Sequence, residues 1–275
     1  MSGGYVSNLP RAVIGADINV VPAWKLCTGD PSIVVAVFDE GVMNTHEDLK
    51  NNIWVNKAEL NGTANVDDDG NGYKDDVYGF NFTTMKGTIT WNKSTDTGHG
   101  SHVAGIIAAE NNNGIGVCGI AGGSGNKDGV KLMSVQIFNG DDGATTSNLV
   151  RAFQYAADNG AVILQCSWGY ISGAANPYEW GPQFSTDDQW TQSNMLEKKA
   201  LDYFVHHAGS PDGVVEGGIA VFAAGNEYAP AASYPAAYPE FVSVAATAGD
   251  FTPAVYTNYG PGTTISAPGG DQDYY

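Results

Sequence analysis

The sequence predicts an α/β fold: a three-layer arrangement in which a mainly parallel sheet carries helices on both faces. Three observations point to it. Short, continuous apolar runs rich in β-branched residues, such as Ile33–Phe38, read as strands buried on both sides. These runs alternate with longer stretches of helical period, which implies right-handed βαβ crossovers. No internal repeat and no Pro- or Ser-rich linker breaks the 275 residues, so a single domain over 1–275 is expected.

Taken in order, Ile33–Phe38 is the first strand, closed by Asp39-Glu40-Gly41. Residues 61–98 are polar and read as loop. His102–Ala109 has helical character and stops at Asn111-Asn112-Asn113-Gly114. Lys131–Phe138 is the next strand. Ser147–Asn159 is an amphipathic helix with Leu149, Val150, Phe153 and Ala157 on one face and Gly160 as its stop. Val162–Ser167 is a strand, Leu196–His207 a helix, and Ile219–Ala224 and Phe241–Ala246 are strands.

Composition narrows the function. With 12 Lys+Arg against 30 Asp+Glu, the formal net charge is -18. That excludes nucleic acid or an anionic membrane as the natural partner, because phosphate binding needs a cationic surface. The charge suits a soluble secreted protein or one that collects cations. No run approaches the roughly 18 apolar residues of a membrane span, so no transmembrane segment is expected, and Met1-Ser2-Gly3-Gly4 has neither the basic nor the apolar part of a signal peptide. Cys27, Cys118 and Cys166 are too few and too scattered for a disulfide framework. Cys118 and Cys166 sit in small-residue or apolar runs and are expected to be buried. Nothing in the sequence speaks to oligomeric state.

In a parallel sheet, sites gather at the carboxyl ends of strands, where helix N-termini also converge. Asp39 directly follows the first strand. His99 lies in Gly98-His99-Gly100-Ser101-His102-Val103-Ala104-Gly105, at the mouth of a helix. Asn226 follows an apolar strand in Ala223-Ala224-Gly225-Asn226-Glu227. An acid that orients a histidine, and an amide aimed at a developing oxyanion, are what acyl transfer requires.

These three blocks, with Val37-Phe38-Asp39-Glu40-Gly41-Val42 as the first, resemble the signature blocks of the subtilisin-like serine proteases in that family's order. Gln165-Cys166-Ser167-Trp168-Gly169 is similar to the family's substrate-binding strand, and Ser266-Ala267-Pro268-Gly269 to the segment shortly before its nucleophile. The resemblance runs from about residue 20 to 270. It implies a serine endopeptidase acting on polypeptide substrates. Asp39 would orient the imidazole, His99 would be the general base and Asn226 the oxyanion donor, while Ser167, Trp168 and Gly169 would line the substrate strand. It also implies secretion or a place in the cell envelope, and a structural rather than catalytic His102. No acidic or basic residue lies in Cys166–Tyr170 or Ala220–Asn226, so the primary pocket is expected to take large apolar side chains.

The family's Gly-Thr-Ser-x-Ala-x-Pro does not occur among the 275 residues. The fold is therefore expected to be incomplete at its C-terminus, with the nucleophile beyond residue 275 and the chain alone inactive. An inactive, protease-like binding module with a calcium loop is the alternative. A carboxyl-type relative is disfavoured by His99 and by Asn226. Milder departures are Glu40 and Ser101. Tyr170 stands where a second glycine is frequent, and residues 171–195 read as an added surface loop.

Asp67-Asp68-Asp69-Gly70-Asn71-Gly72-Tyr73-Lys74-Asp75-Asp76 spaces oxygen groups at alternate positions. Asp67, Asp69, Asn71, the Tyr73 carbonyl and Asp75 are the expected ligands of a structural Ca²⁺. The bidentate Glu that would end such a loop is absent, and Tyr78 stands there instead, so Asp76 or another segment would have to complete the shell. Gly114-Ile115-Gly116-Val117-Cys118-Gly119 matches a dinucleotide fingerprint, but it follows a helix and is discounted. His46 reads as loop packing, and His206 and His207 as solvent-facing. Asn61, Asn81 and Asn92 begin N-x-[ST] triplets of the kind that occur by chance.

Overall fold

The computed structural model describes residues 12–91, 97–140, 142–210, 213 and 215–271; the Asn92 triplet falls outside them. In chain order the elements are α1 (Val20–Trp24), β1 (Val34–Asp39), α2 (Lys57–Leu60), β2 (Gly79–Asn81), α3 (His99–Ala108), β3 (Lys131–Gln136), β4 (Phe138–Asn139), β5 (Asp142–Gly143), α4 (Thr146–Asp158), β6 (Ala161–Cys166), α5 (Asp187–Ser193), α6 (Met195–His207), β7 (Ile219–Ala223), β8 (Val242–Thr247) and β9 (Ile265–Pro268). They form two compact units, Cys27–Gln165 with Leu196–Ile219, and Met1–Leu26 with Cys166–Met195 and Ala220–Tyr275.

The first unit holds four strands in the order β2-β3-β1-β6. All three pairings are parallel. β1 is buried along its whole length, as its unbroken apolar run requires. Alternation along β1 sends its side chains to opposite faces. Val35 and Val37 pack with Ala104 and Ala108 of α3, while the Phe38 ring stacks on Phe153 of α4 at 4.9 Å. Helices therefore cover both faces, and the expected three layers are present in this unit. α4 begins at Thr145, whose side chain accepts the Asn148 N–H, and Gly160 follows its end at φ 85°. β4 and β5 make a small antiparallel hairpin.

The second unit holds β7-β8-β9, again parallel. Most sequence-predicted elements are present within a residue or two. The short elements that the sequence reading does not contain include α1, α2, β2 inside the polar stretch 61–98, β5, α5 inside 171–195, and β9. The expectation of a plain surface loop over 171–195 is corrected by α5, because its Trp190 is fully buried. Cys118, expected inside, is exposed, whereas Cys166 is buried. Among the described residues no helix is long and apolar enough to cross a membrane.

Candidate active site

Asp39 is the last residue of β1 and pairs in register with Gln136 at the end of β3. It is 3% exposed. His99 is the first residue of α3, three residues earlier than the sequence suggested for that helix. Nδ1 of His99 lies 2.9 Å and 2.8 Å from the two carboxylate oxygens of Asp39. The structure thus brings these two predicted residues together.

Local chemistry explains how. Gly98 caps α3 at φ 79°, a left-handed conformation that side-chain-bearing residues rarely adopt. Gly100 is held so close to the strand end that a Cβ there would lie 2.5 Å from the Gly41 carbonyl and 3.1 Å from Asp39 Oδ1. No other residue fits without moving the helix. The loop after β1 is tied to the helix by the Met43 N–H, which donates to Ser101 Oγ at 2.9 Å. Glu40 accepts both the N–H and the hydroxyl of Thr97 at 3.0 Å. Val42 N–H is taken by Ser134 Oγ of β3. The departures Glu40 and Ser101 are thus the residues that fasten this turn.

The hydrogen bond that His99 Nδ1 donates to the Asp39 carboxylate raises the pKa of the imidazole above its ordinary value; partial burial opposes this, and the charges of Asp39 and Glu40 reinforce it. With Nδ1 donating to the carboxylate, Nε2 carries the lone pair. The His99 side chain is 48% exposed.

Asn226, Ser167, Trp168 and Gly169 belong to the second unit. Asn226 lies three residues past β7 and is exposed. Beyond β6, Trp168 meets Phe222 edge-on at 5.6 Å. A Cβ at Gly169 would lie 3.0 Å from both Ser233 Oγ and the Tyr234 carbonyl, so the segment runs directly along residues 233–234. Tyr170 donates its N–H to that same carbonyl at 2.7 Å. Its ring meets Phe184 at 5.2 Å and its hydroxyl reaches Asn194, both in the inserted segment. That contact accounts for a tyrosine where the family often has glycine. Glu227, next to Asn226, is a carboxylate the sequence reading left out, and it accepts from Asn258.

His102 is exposed beside Ile106, Val117 and Cys118 in a surface groove. His46 uses Nδ1 to accept the Asp48 N–H at 3.1 Å. His206 and His207 are exposed, as expected.

In the acidic loop, carboxylate oxygens of Asp67, Asp69 and Glu59 lie within 4.8 Å of one another. Asn71 Oδ1 accepts the Tyr73 N–H, and Asn71 Nδ2 donates to Asp69 and Asp76. Asp75, expected as a ligand, turns both oxygens toward the Asn65 N–H at 2.9 and 3.1 Å instead. Asp76 is fully buried. Burial raises its carboxyl, against hydrogen bonds from Tyr155 and Asn71. Glu59 was missed because it comes from α2, outside the loop whose spacing gave the motif. Its signal in the sequence is only an acidic residue one turn beyond the helix-capping Asn56.

The profile of the subtilase family, peptidase S8, matches residues 30–275. Among curated proteins, the chain is 32% identical over 268 residues to halolysin of Haloferax mediterranei, covering 96% of this chain and 41% of the relative. It is 50% identical over 90 residues to subtilisin-like protease 1 of Plasmodium vivax, covering 33% of this chain and 14% of the relative. The chain thus spans less than half the length of these relatives. Among solved structures, the psychrophilic subtilisin-like protease Apa1 from the Antarctic psychrotroph Pseudoalteromonas sp. AS-11 aligns with TM-score 0.58 at 26% identity, over 86% of this chain and 41% of that one. The nisin leader peptidase NisP from Lactococcus lactis shares the fold at TM-score 0.56 and 21% identity, over 90% of this chain and 65% of that one. A strand-end carboxylate paired with a helix-mouth histidine, on parallel strands that align with these proteases, belongs with the family match: the chain is a member of the subtilase family.

Proposed function

We propose that the protein is a serine endopeptidase in which Asp39 orients His99, His99 Nε2 serves as general base, and Asn226 donates its amide to the oxyanion. The observation that supports this best is the Asp39–His99 pair, a buried carboxylate spanning Nδ1 of a half-exposed imidazole at 2.8–2.9 Å. In that tautomer the ring can take a proton from a hydroxyl at Nε2, and the carboxylate stabilises the imidazolium that results. The motif that carries the family's serine is not among the 275 residues, and we assign the nucleophile to a position beyond them. This chain by itself then hydrolyses no peptide bond, since such groups act as a unit. Ser167, Trp168 and Gly169 would bind the substrate backbone, and the pocket would take large apolar side chains.

The acidic loop fits a hard cation. Asp67, Asp69 and Glu59 converge three carboxylates. Bound Ca²⁺ would neutralise that cluster and brace the segment that leads into β2. An extracellular working place is supported by the chain's likeness to the halolysin-like extracellular serine protease Nep of Natrialba magadii.

The test is hydrolysis of casein by the full-length protein. Activity should be abolished by serine-directed acylating reagents, and His99→Ala should lower kcat by several orders of magnitude, roughly 10⁴–10⁶-fold for a triad member. Full activity in His99→Ala would overturn the assignment. A well-folded full-length protein that binds peptides without cleaving them would instead support the binding-module alternative.

A further inference from the structure

We infer that Asn258 is the positioning residue that aims the Asn226 amide, by gripping the strand-to-loop turn on both sides of it. The inference rests on the reading of Asn226 as oxyanion donor. Asn258 is fully buried. Its Nδ2 donates to the Ala224 carbonyl at 3.0 Å and to the Glu227 carboxylate. Its Oδ1 accepts the N–H groups of Glu227 at 3.1 Å and of Ala229 at 2.9 Å. Its own backbone N–H donates to the Gly225 carbonyl at 3.0 Å. One carboxamide thereby uses both donors and both acceptor positions. Every partner lies within three residues of Asn226.

The turn is shaped around this side chain. Gly225 stands at φ 114°, and a Cβ there would lie 2.2 Å from Asn258 Nδ2, so the backbone needs glycine to let the amide in. Asn226 itself is exposed, and none of these bonds falls on it. Its two chain neighbours, Gly225 and Glu227, are both fixed to Asn258. Holding the flanks while leaving the middle amide without a hydrogen bond among the described residues is what a preorganised donor needs, since the donor must point at charge that appears only in the transition state. Among the common residues the demand is specific. Aspartate has the shape but no donor, and would set a negative charge against Glu227 and the Ala224 carbonyl. Serine is too short to span both strands of the turn, and alanine leaves two buried N–H groups without acceptors.

The experiment is a double-mutant cycle in the full-length protein, with Asn258→Ser, the isosteric Asn258→Asp and Asn226→Ala, singly and combined. Rates are expressed per active site titrated with a serine-directed acylating reagent, so misfolded molecules do not count. Each Asn258 variant should lower kcat by about tenfold or more with KM within about twofold, the pattern of an interaction felt in the transition state. In the Asn226→Ala background the same substitutions should lower kcat no further, because a residue that acts only by aiming the Asn226 amide has nothing left to aim. An equal loss in both backgrounds, a change carried by KM, or a loss that vanishes on active-site correction would overturn the positioning role while leaving Asn226 its own. An Asn226→Ala enzyme with unchanged kcat would instead remove the oxyanion assignment, and the positioning role with it. If Asn258→Ser does not fold, the isosteric Asn258→Asp is read by the same cycle.

Discussion

Replacing Trp190 with alanine should destabilise the protein by about 4 kcal/mol. The residue is fully buried in a cage of three rings, with Tyr234 stacked at 5.7 Å, Tyr238 at 5.5 Å and Phe241 at 6.3 Å. Burying an aromatic side chain removes about 150–250 Å² from water, which at about 25 cal/mol/Å² gives roughly 4–6 kcal/mol. Measured Trp→Ala losses in cores run about 3–5 kcal/mol, depending on how far the cavity collapses. Collapse is hindered here. Tyr234 is pinned by its hydroxyl to Asp187 at 2.6 Å and by its carbonyl to the Tyr170 N–H at 2.7 Å. Tyr238 and Phe241 are packed on each other at 5.5 Å. Against a total stability of about 5–15 kcal/mol, the loss is large. Urea unfolding followed by far-UV circular dichroism reads it directly. With slopes of about 1–3 kcal/mol/M, the midpoint should fall by more than about 1 M at unchanged slope. A loss under about 1 kcal/mol would mean that residues 171–195 are a loosely attached surface loop after all, and that the cage carries no weight.

Two further outcomes are expected. The acidic limb of kcat/KM in the full-length enzyme should lie above the ordinary imidazole value of 6.5, because Asp39 favours protonated His99 and the base must be neutral to work. Asp39→Asn should move that limb to lower pH and cut kcat by about 10⁴-fold, as the equivalent change does in the serine-protease triad; a limb that stays put would show that Asp39 does not set it. The same pairing stabilises the fold below the unfolded pKa and is lost as pH rises through the raised folded one. Excess Ca²⁺ should raise the melting temperature relative to chelator, by the equivalent of about 2.7 kcal/mol at a hundredfold excess over Kd. Asp67→Ala with Asp69→Ala should remove that shift, and a shift that survives would take the cation elsewhere.

What could be read from the sequence is what short-range rules govern. α4 and α6 are long stretches of helical period, and β1's continuous apolar run left little choice but a central strand. Asp39 and His99 were legible because each sits at an element end, where a strand finishes or a helix opens. The unread parts depend on partners far along the chain. β2 has three residues, and parallel pairing with β3 across more than fifty residues makes it a strand. Trp190 looked like loop because its cage comes from residues 234–241. Glu59 completes the acidic cluster from a different element. Asn258 is a single polar residue in Tyr256-Thr257-Asn258-Tyr259, and only the fold shows that its carboxamide is spent on Ala224–Ala229. Cys118 failed in the other direction, since a small-residue run is compatible with an exposed turn as well as with a core.

The Asp39–His99 pair and the proposed Asn226 donor are two arms, each built as a closed local assembly within its own unit, and this bears on how the proposed catalysis can tolerate change. Asp39 and His99 are set by Gly100, by Ser101 holding Met43, and by Glu40 holding Thr97. Asn226 is set by Gly225 and Asn258. In both, a glycine allows an approach that a Cβ would block, and a buried or half-buried polar side chain then locks the turn. A functional group held this way presents a fixed direction before charge develops, which is the condition for electrostatic catalysis without reorganisation. Each arm should therefore fail independently. Loosening the Asn258 grip should leave the pH limb set by His99 where it was, and Glu40→Gln should shift that limb downward without changing the Asn226 coupling. Coupled failure of the two arms would mean that their geometry is set by a shared element instead of by these local locks.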